Sequence, residues 1–293
     1  MRNVLLIGAM ILLYTLQSLL CKKYSDHYPV DPNMASPVFT LVSGAVVVAV
    51  SFAVAGFSFV AAPVTLLLAV CNAAVLVGYN TCIIKASQTG AYSVLMVFSI
   101  AGGIFIPVIS GVIFFEDRLS PFKLAALALI LLAVYMVSHR KGEALATDKL
   151  FLPACALLGI CNGTYGALLD AQQRLTGSGE KEEMVAVTYG LAIVISFAFL
   201  LIRQRRSAVA ALRQTRRSAF YLLTCSVVVA LAINLMVYII PLVDLAVLYT
   251  FDNAGTFLFS VLASCVFFRE KLSRLNAAGC VLMCGALVAV SLL

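Results

Sequence analysis

Charged residues are scarce in this chain. Only 11% of its 293 residues are Asp, Glu, Lys or Arg, and 63% are hydrophobic, whereas about 25% of an ordinary soluble protein is charged. A soluble domain of this length has no interior large enough to hide so much apolar surface. The composition therefore excludes a soluble enzyme or binding domain and predicts a protein embedded in a lipid bilayer.

Residues that build metal and catalytic sites are also few. The two histidines, His27 and His139, both lie in predicted loops, and none of the nine cysteines forms a Cys-x-x-Cys pair. The cysteines are therefore interpreted as small residues that pack helices together. The chain lacks the Gly-x-x-x-x-Gly-Lys-Ser/Thr loop of ATP-driven proteins and the His-Glu-x-x-His motif of an intramembrane hydrolase. We expect no metal, no cofactor and no enzymatic activity.

Long hydrophobic runs are what the chain has instead. Ten segments reach the length of about 20 apolar residues that a membrane-crossing helix needs. They are apolar on every side, whereas the strands of a membrane barrel would be about ten residues long with alternating faces. We therefore predict ten transmembrane helices, near residues 3–23, 34–56, 63–85, 91–115, 121–138, 150–170, 184–202, 218–240, 245–268 and 274–292.

The second half of the chain repeats the first. Residues 114–120 read Phe-Phe-Glu-Asp-Arg-Leu-Ser and residues 267–273 read Phe-Phe-Arg-Glu-Lys-Leu-Ser, with four of seven positions identical. The match continues at the same offset of 153 residues and pairs Gly102 with Gly255. A hydrophobic chain with an internal repeat of this kind is typical of transporters.

A second match, at an offset of 151 residues, pairs Gly8 in the first span with Gly159 in the sixth. We therefore predict two units, residues 1–140 and 149–293, with five helices each. Because five is an odd number, equivalent helices cross the membrane in opposite directions. The predicted fold is an all-α membrane protein of ten transmembrane helices, arranged as two inverted repeats with the substrate site between them.

The basic residues are distributed unequally between the two sides of this arrangement. Fifteen Lys and Arg residues lie on the side of the odd-numbered loops, and five lie on the side that holds both termini. Since basic loops stay in the cytoplasm, both termini are predicted to be extracytoplasmic. The Arg203–Arg217 segment either binds anionic lipid or serves only to fix this orientation. The net charge of +7 therefore does not indicate nucleic-acid binding.

An acidic-x-Leu-Ser turn opens the last span of each half. The residues are Asp117-Arg118-Leu119-Ser120 and Glu270-Lys271-Leu272-Ser273. With ten spans as five plus five, the chain resembles the EamA type of the drug/metabolite transporter superfamily. The resemblance implies a central cavity lined by spans 1, 3, 4, 6, 8 and 9, with spans 5 and 10 at the periphery. Many members carry their basic loop between spans 2 and 3 with termini inside, so the orientation predicted here is the reverse.

Asp252 is the most unusual polar residue within a span. It lies about eight residues, or about 12 Å, inside span 9, and Asn253 follows it directly. A carboxylate at that depth costs free energy unless it faces a polar cavity or a partner, which makes it a candidate functional residue. The alternative is a structural acid that is hydrogen-bonded within the bundle or held protonated there. Its repeat equivalent is Ser99, so the two halves differ chemically at this point.

Other amide and phenol side chains lie within the six spans expected to line the cavity. On three of these spans an amide stands beside a phenol at helical spacing, which suits an organic solute with hydrogen-bonding groups and an apolar body. Each residue alone is equally well explained as a bridge between helices. These substrate-binding candidates, besides Asp252 and Asn253, are Tyr14, Gln17, Asn72, Tyr79, Asn80, Asn162, Tyr165, Asn234, Tyr238 and Tyr249.

Residues at the span ends have simpler interpretations. Lys22 and Lys23 are expected to extend toward the lipid headgroups. Asp117 and Glu270 are expected to cap the N-termini of spans 5 and 10. Pro107, which follows two glycines in span 4, offers a kink and a close helix approach.

The sequence thus predicts a secondary transporter of small organic solutes or metabolites in the inner (plasma) membrane. Transport would occur by alternating access, with a proton as the candidate coupling ion. The expected partners are the solute and membrane lipids. Gly285 and Ala289 on span 10 serve either packing within the protomer or a homodimer. The alternative function is a flippase subunit of the same fold for a lipid or lipid-linked sugar, which would have a groove open to lipid.

Overall fold

The structure is a computed structural model that describes residues 2–54, 59–116, 120–138, 149–176, 180–203, 212–243, 245–270 and 272–292. These ranges form ten α-helices and no β-strand. A 3₁₀ turn over Ile240–Leu242 separates the eighth helix from the ninth. The helices are α1 (Arg2–His27), α2 (Pro32–Val54), α3 (Pro63–Thr89), α4 (Tyr92–Phe115), α5 (Pro121–Ser138), α6 (Phe151–Thr176), α7 (Lys181–Arg203), α8 (Arg216–Ile239), α9 (Leu245–Phe267) and α10 (Arg274–Leu292).

The observed helices follow the predicted runs, and the main differences are longer C-terminal ends. α1 was expected to end at residue 23 but continues to His27, just before Tyr28 and Pro29. α6 was expected to end at residue 170 but continues to Thr176. Hydropathy locates the part of a helix that suits lipid, whereas the helix itself continues until a residue such as proline interrupts it.

In the described part of the chain, seven of the helices are long and apolar enough to cross a bilayer. They are α1 to α4 and α6 to α8. The other three contain shorter apolar segments, Pro121–Val137, Phe251–Phe267 and Arg274–Ala289. These findings are those of a multi-pass, all-helical membrane protein.

The helices of the first half pack mainly against helices of the second half. α3 packs against α6 and α7, and α8 packs against α1 and α2. α4 packs against α6, and α9 packs against α1. α5 and α10 pack mainly against each other, with further contacts to α4 and α9. The two halves are therefore interleaved.

The bundle has two ends, which we name by their loops. The odd-loop end carries the connections from α1 to α2, α3 to α4, α5 to α6, α7 to α8 and α9 to α10. The even-loop end carries both termini and the remaining connections. At the even-loop end the Asn3 amide donates a hydrogen bond to the Leu242 carbonyl at 3.3 Å. Also there, the Arg174 guanidinium lies 4.6 Å from the centre of the Phe115 ring.

α10 begins with a cap built from Ser273 and Asn276. The Ser273 N–H donates to Asn276 Oδ1 at 3.1 Å, and the Asn276 N–H donates to Ser273 Oγ at 3.2 Å. The Asn276 amide also donates to the carbonyls of Met136 and Val137 at the end of α5. Ser273 therefore has the capping role that was expected of Glu270, and that expectation was wrong. Asp117, expected to cap α5, lies outside the described residues.

Two turns of the repeated motif share an uncommon backbone conformation. Glu116 after α4 has φ of 56° and Arg269 after α9 has φ of 55°, the left-handed region. Residues other than glycine rarely adopt it. The two positions are 153 residues apart, the offset of the sequence repeat.

α4 and α6 cross with their backbones in contact. A Cβ added to Gly102 would overlap the Gly159 carbonyl, and one added to Gly163 would overlap the Gly102 carbonyl. A Cβ on Gly159 would lie 2.5 Å from the Phe98 carbonyl oxygen. Small residues at such crossings let two membrane helices approach closely. This contact places α6 beside the part of α4 that lines the central cavity.

Candidate functional site

A cavity of about 160 Å³ lies midway along the helices, among seven of them. Six are the helices that the resemblance implies, and α7 is the seventh. The lining combines hydrogen-bonding side chains with apolar ones. It consists of Tyr14, Gln17, Ser18, Leu76, Tyr79, Met96, Ser99, Ile100, Gly103, Asn162, Tyr165, Gly166, Leu169, Tyr189, Ile233, Met236, Asp252, Asn253 and Thr256.

Asp252 provides the one carboxylate of this described lining, which contains no Lys, Arg or His. The Thr256 hydroxyl, one turn further along α9, donates a hydrogen bond to Asp252 Oδ1 at 3.2 Å. That bond satisfies part of the carboxylate but supplies no positive charge. A ligand in the cavity would therefore meet a carboxylate that no basic residue of the described lining neutralises.

Two amides converge on Gly103, where α4 faces α6 and α9. The Asn162 amide donates to the Ser99 carbonyl at 2.9 Å. A Cβ added to Gly103 would lie 2.8 Å from Asn162 Nδ2 and 3.5 Å from Asn253 Oδ1. A larger residue at position 103 would push both amides aside, so the glycine keeps this part of the cavity open.

Four tyrosines contribute both rings and hydroxyl groups to the lining. The Tyr14 hydroxyl donates to Met236 Sδ at 3.0 Å. The side chains of Tyr79 and Ser99 are within hydrogen-bonding reach, as are those of Tyr165 and Tyr189. Phenol side chains present an apolar body with a polar tip, which suits a solute of mixed character.

Seven of the predicted residues are therefore brought together by the cavity, and four of the other described ones are not. Asn80 donates to Thr40 Oγ1 on α2 at 3.1 Å, and Asn234 donates to the Ala230 carbonyl of its own helix. Tyr238 is 55% exposed on the outside of the bundle. Asn72 is fully buried outside the lining, and neither amide atom has a hydrogen-bond partner among the described residues. The Tyr249 side chain lies outside the described part of the structure.

Sequence reasoning missed Tyr189, Ser18 and Thr256. The resemblance did not include span 7 among the lining helices, so Tyr189 was not considered. Thr256 lies one turn after Asp252 and faces the same side of α9, as residues four apart on a helix do. That spacing was a signal that could have identified it.

The odd-loop end is closed by contacts that centre on Glu270. Its carboxylate accepts hydrogen bonds from the Tyr92 N–H at 2.6 Å and from the N–H and hydroxyl of Ser93 at 3.3 and 2.6 Å. Glu270 therefore caps α4, a helix of the other half, because the free N–H groups at a helix start attract negative charge. The Tyr92 ring lies 5.2 Å from the Phe268 ring.

Two lysines add contacts at the same end of the bundle. Lys22 and Lys23 each place their ammonium group 5.1 Å from the centre of the Phe268 ring. Lys22 also donates to the Ser87 carbonyl at 2.6 Å, near the C-terminus of α3. The ends of α1 and α3 are thereby joined to the turn between α9 and α10.

The even-loop end is held by Glu180, which precedes α7. Its carboxylate accepts hydrogen bonds from the Thr65 hydroxyl and from the Ala62 N–H at the start of α3. The bond from Thr65, and then that from Ala62, hold the pKa of Glu180 below its ordinary value, because both favour the charged form. Protonation of the Glu180 carboxylate would weaken both hydrogen bonds and so loosen the contact between α3 and the start of α7.

Buried polar groups between α3, α6 and α7 separate this end from the cavity. Gln172 and Lys181 are 0% and 4% exposed. Neither Gln172 Oε1 nor Lys181 Nζ has a hydrogen-bond partner among the described residues. Buried groups without partners cost free energy that water would recover. This side of the bundle therefore gains hydration energy if α3, α6 and α7 move apart.

In the part of the chain that the structure describes, no three His, Cys, Asp or Glu side chains are grouped so that they could hold a metal ion. The Arg203–Arg217 segment, proposed above as a lipid contact, lies largely outside the described residues. Within its described part, Thr215 Oγ1 accepts a hydrogen bond from the Ser218 N–H and caps α8.

The fold recurs in a solved structure that is described only as the crystal structure of a protein. The two superpose with a TM-score of 0.61 and 17% sequence identity, over 99% of this chain and 98% of the other. At that identity the likeness establishes the fold alone. No family model matches the chain, and no curated protein matches it by sequence. The fold and the apolar helices thus define a multi-pass helical membrane protein with a central cavity lined by both polar and apolar side chains.

Proposed function

We propose that this chain is a secondary transporter that moves a small organic solute across the inner (plasma) membrane by alternating access. The observation that carries the proposal is the central cavity, which holds hydrogen-bonding groups midway along apolar helices. Polar groups at that depth are costly unless they serve a ligand or an ion pathway. In a transporter these polar groups bind the solute, whereas a purely structural role for them would not account for the cavity.

Contacts at the two ends of the bundle support alternating access. At the odd-loop end the Glu270 carboxylate holds the start of α4, and at the even-loop end the Glu180 carboxylate holds the start of α3. Since the Glu270 and Glu180 contacts hold the starts of two different helices, α4 and α3, each contact can be broken while the other stays formed. Lys181 Nζ and Gln172 Oε1, which have no hydrogen-bond partner among the described residues, favour an alternative arrangement in which water enters from the even-loop end.

The packing of the helices supports two inverted repeats, residues 1–140 and 149–293. A shift by five helices turns the α3–α6 contact into α8–α1, the α4–α6 contact into α9–α1 and the α2–α8 contact into α7–α3. The contact of α5 with α10 maps onto itself. The left-handed residues Glu116 and Arg269 fall at equivalent positions as well. This pattern is expected of two five-helix units related by an axis in the membrane plane.

Membership of the EamA type of drug/metabolite transporters is part of the proposal. Its support is the repeated acidic-x-Leu-Ser turn and a cavity whose lining includes all six of the helices that the family would use. The termini are proposed to be extracytoplasmic, because the odd-numbered loops hold fifteen of the twenty basic residues. The odd-loop end would then face the cytoplasm.

The size of the cavity argues for a solute and against a lipid. A cavity of about 150 Å³ in another protein is filled by one benzene molecule, and the volume here is about 160 Å³. A lipid headgroup with its chains is several times larger and would need a groove open to the bilayer. The flippase alternative therefore has no specific support in this arrangement.

The test is to fill the cavity and measure exchange. A Cβ on Gly166 would meet nothing closer than Pro107 Cγ at 3.8 Å, so Gly166→Phe can enter the cavity without a backbone collision. Gly285→Phe is the matched control, because a Cβ on Gly285 has no described atom within 4 Å and the position is exposed on α10. Purified protein in liposomes would be tested for counterflow of labelled cationic, neutral and anionic solutes.

We expect at least one class of solute to exchange in the wild type and in Gly285→Phe, and exchange to fall at least tenfold in Gly166→Phe. The physical reason is that the phenyl ring occupies the volume that the solute needs. Unchanged exchange in Gly166→Phe, or no exchange of any class by folded wild-type protein, would overturn the proposal.

A further inference from the structure

We infer that the transported solute is a protonated organic amine, with its ammonium group against Asp252 and its apolar body among the four tyrosines. This inference rests on the proposed transport function and deepens it, since it names the chemical class that the cavity selects. It is carried by three properties of the described lining: its volume, its acidic and basic residues, and its hydrogen-bond acceptors.

The volume suits a solute of about six to ten non-hydrogen atoms. A cavity of about 150 Å³ accommodates one six-carbon ring, and this cavity has about 160 Å³. A ring or short chain with one amino group is within that range. Peptides, nucleotides and lipids are too large.

The lining contains an acid and, among the described residues, no base. Asp252 faces the cavity, and the described lining has no Lys, Arg or His. An anionic solute would add a second negative charge at short range in a medium of low dielectric constant, which is strongly unfavourable. A neutral solute would leave the carboxylate without a counter-charge, whereas a cation supplies one.

Two of the lining residues carry acceptors with capacity to spare. Gln17 is one of them, since its buried Oε1 atom has no hydrogen-bond partner among the described residues. The Asp252 carboxylate accepts at Oδ1 from Thr256 and presents further lone pairs. A protonated amine brings up to three N–H donors and no acceptor, which complements this set.

The rest of the lining suits an apolar body beside the ammonium group. The rings of Tyr14, Tyr79, Tyr165 and Tyr189 and the side chain of Met236 surround the cavity. Aromatic rings also attract cations through their negatively charged faces. The same wall therefore contacts the hydrocarbon part of an amine and favours its charge.

The experiment compares three probes of similar shape on the full-length protein in detergent. Cyclohexylammonium carries a positive charge, cyclohexanol is its neutral counterpart, and cyclohexanecarboxylate carries a negative charge. Binding would be measured at pH 7 as the rise in unfolding temperature over a concentration series, since a ligand of the folded state raises stability by mass action. We expect cyclohexylammonium to bind at least tenfold more tightly than either of the others.

Asp252→Asn keeps the shape of the side chain and removes its charge. We expect it to weaken cyclohexylammonium binding about tenfold to a hundredfold, the range for losing a hydrogen bond to a charged group. The control Gly285→Phe should bind like the wild type. The comparison of the three probes on wild-type protein gives a result even if Asp252→Asn fails to fold.

Equal binding of cyclohexanol or cyclohexanecarboxylate, an unchanged affinity in Asp252→Asn, or no binding of cyclohexylammonium would each overturn the inference. Gly166→Phe distinguishes this failure from failure of the proposed function. If it abolishes the binding of a neutral or anionic probe, the cavity still binds solutes and the transport proposal stands. If it leaves the binding of every probe intact, the cavity is not the binding site, and both proposals fall.

Discussion

The crossing of α4 with α6 and the crossing of α9 with α1 occupy equivalent positions in the sequence repeat, yet they pack differently. At the first, Gly102 meets the Gly159 backbone directly. At the second, a Cβ on Gly255 would meet the side chain of Ile11 at 2.6 Å. Gly8, the equivalent of Gly159, has no described atom within 4 Å of an added Cβ. At the α9–α1 crossing the Ile11 side chain thus fills the space between the helices, whereas at the α4–α6 crossing the two backbones are in direct contact.

The difference separates a fixed contact from an adjustable one. Two backbones in contact cannot rearrange without moving whole helices, whereas an isoleucine can change rotamer and let its neighbours slide. α9 carries Asp252 and α6 carries Asn162. We therefore expect the carboxylate to move relative to the amide in the proposed transport cycle, while α4 and α6 move as one unit.

The strongest way to break the comparison is Gly163→Leu in the α4–α6 crossing. The new Cβ would overlap the Gly102 carbonyl and lie 2.6 Å from Ile106 Cβ, so the helices must separate. We expect a loss of about 3 kcal/mol or more in the free energy of unfolding, because the obstacle is backbone. The measurement is the unfolding temperature and the yield of monodisperse protein in detergent.

The control for this substitution is Gly190→Leu on α7. An added Cβ at Gly190 has no described atom within 4 Å, so the same change of residue should leave stability within about 0.5 kcal/mol of the wild type. Similar unfolding temperatures for the two variants would show that the α4–α6 contact is not tight.

A smaller effect is expected for Gly255→Ala in the α1–α9 crossing. Its Cβ would press on Ile11 Cδ1, which can partly move away, so we expect a loss of about 1–2 kcal/mol. Ile11→Ala removes the obstacle. In the Ile11→Ala background, Gly255→Ala should therefore cost much less stability than it costs in the wild type.

A double-mutant cycle measured by thermal unfolding gives the coupling between these two sites. Coupling near zero would mean that the Ile11 side chain does not fill the crossing. No equivalent rescue exists for Gly163→Leu, since truncating a side chain cannot remove the Gly102 carbonyl.

The smallest effect is expected for Glu270→Gln, which weakens the hold on α4 at the odd-loop end. The amide keeps an acceptor but loses the charge that favours the helix start, so about 1 kcal/mol of stability should be lost. The unfolding temperature of Glu182→Gln, a surface acid in the first turn of α7, is the reference. A decrease no larger than that of the reference would show that Glu270 is not a significant cap for α4.

The sequence allowed the order and the positions of the helices to be predicted, because apolar runs and the turn-formers between them are local signals. α5 was predicted over residues 121–138 and is observed over Pro121–Ser138. The crossing glycines were also partly visible, since Gly159-x-x-x-Gly163 has the spacing of small residues at helix contacts. The first half has no equivalent spacing, because Leu12 stands at the same offset from Gly163 as Gly8 does from Gly159.

The lining residues were harder to predict because neighbouring positions on a helix point about 100° apart. Tyr79 reaches the cavity while Asn80, one residue later, faces α2. Nothing in an apolar helix marks which side faces the centre, since all sides are hydrophobic. The partner of Glu270 was not predictable at all, because Tyr92 is 178 residues away and no local pattern joins them.

α4 is held at its start and middle, and its C-terminal segment is less constrained. Glu270 contacts its first turn and Gly102 contacts α6, so we expect bending in the segment that follows Pro107. That segment ends at Phe115 and is about 12 Å long. A bend of about 20° at the proline would displace its end by about 4 Å. Gly166, which lines the cavity, is beside this proline, because a Cβ added to Gly166 would lie 3.8 Å from Pro107 Cγ. A modest bend at Pro107 would therefore displace the even-loop end of α4 by more than the diameter of a water molecule.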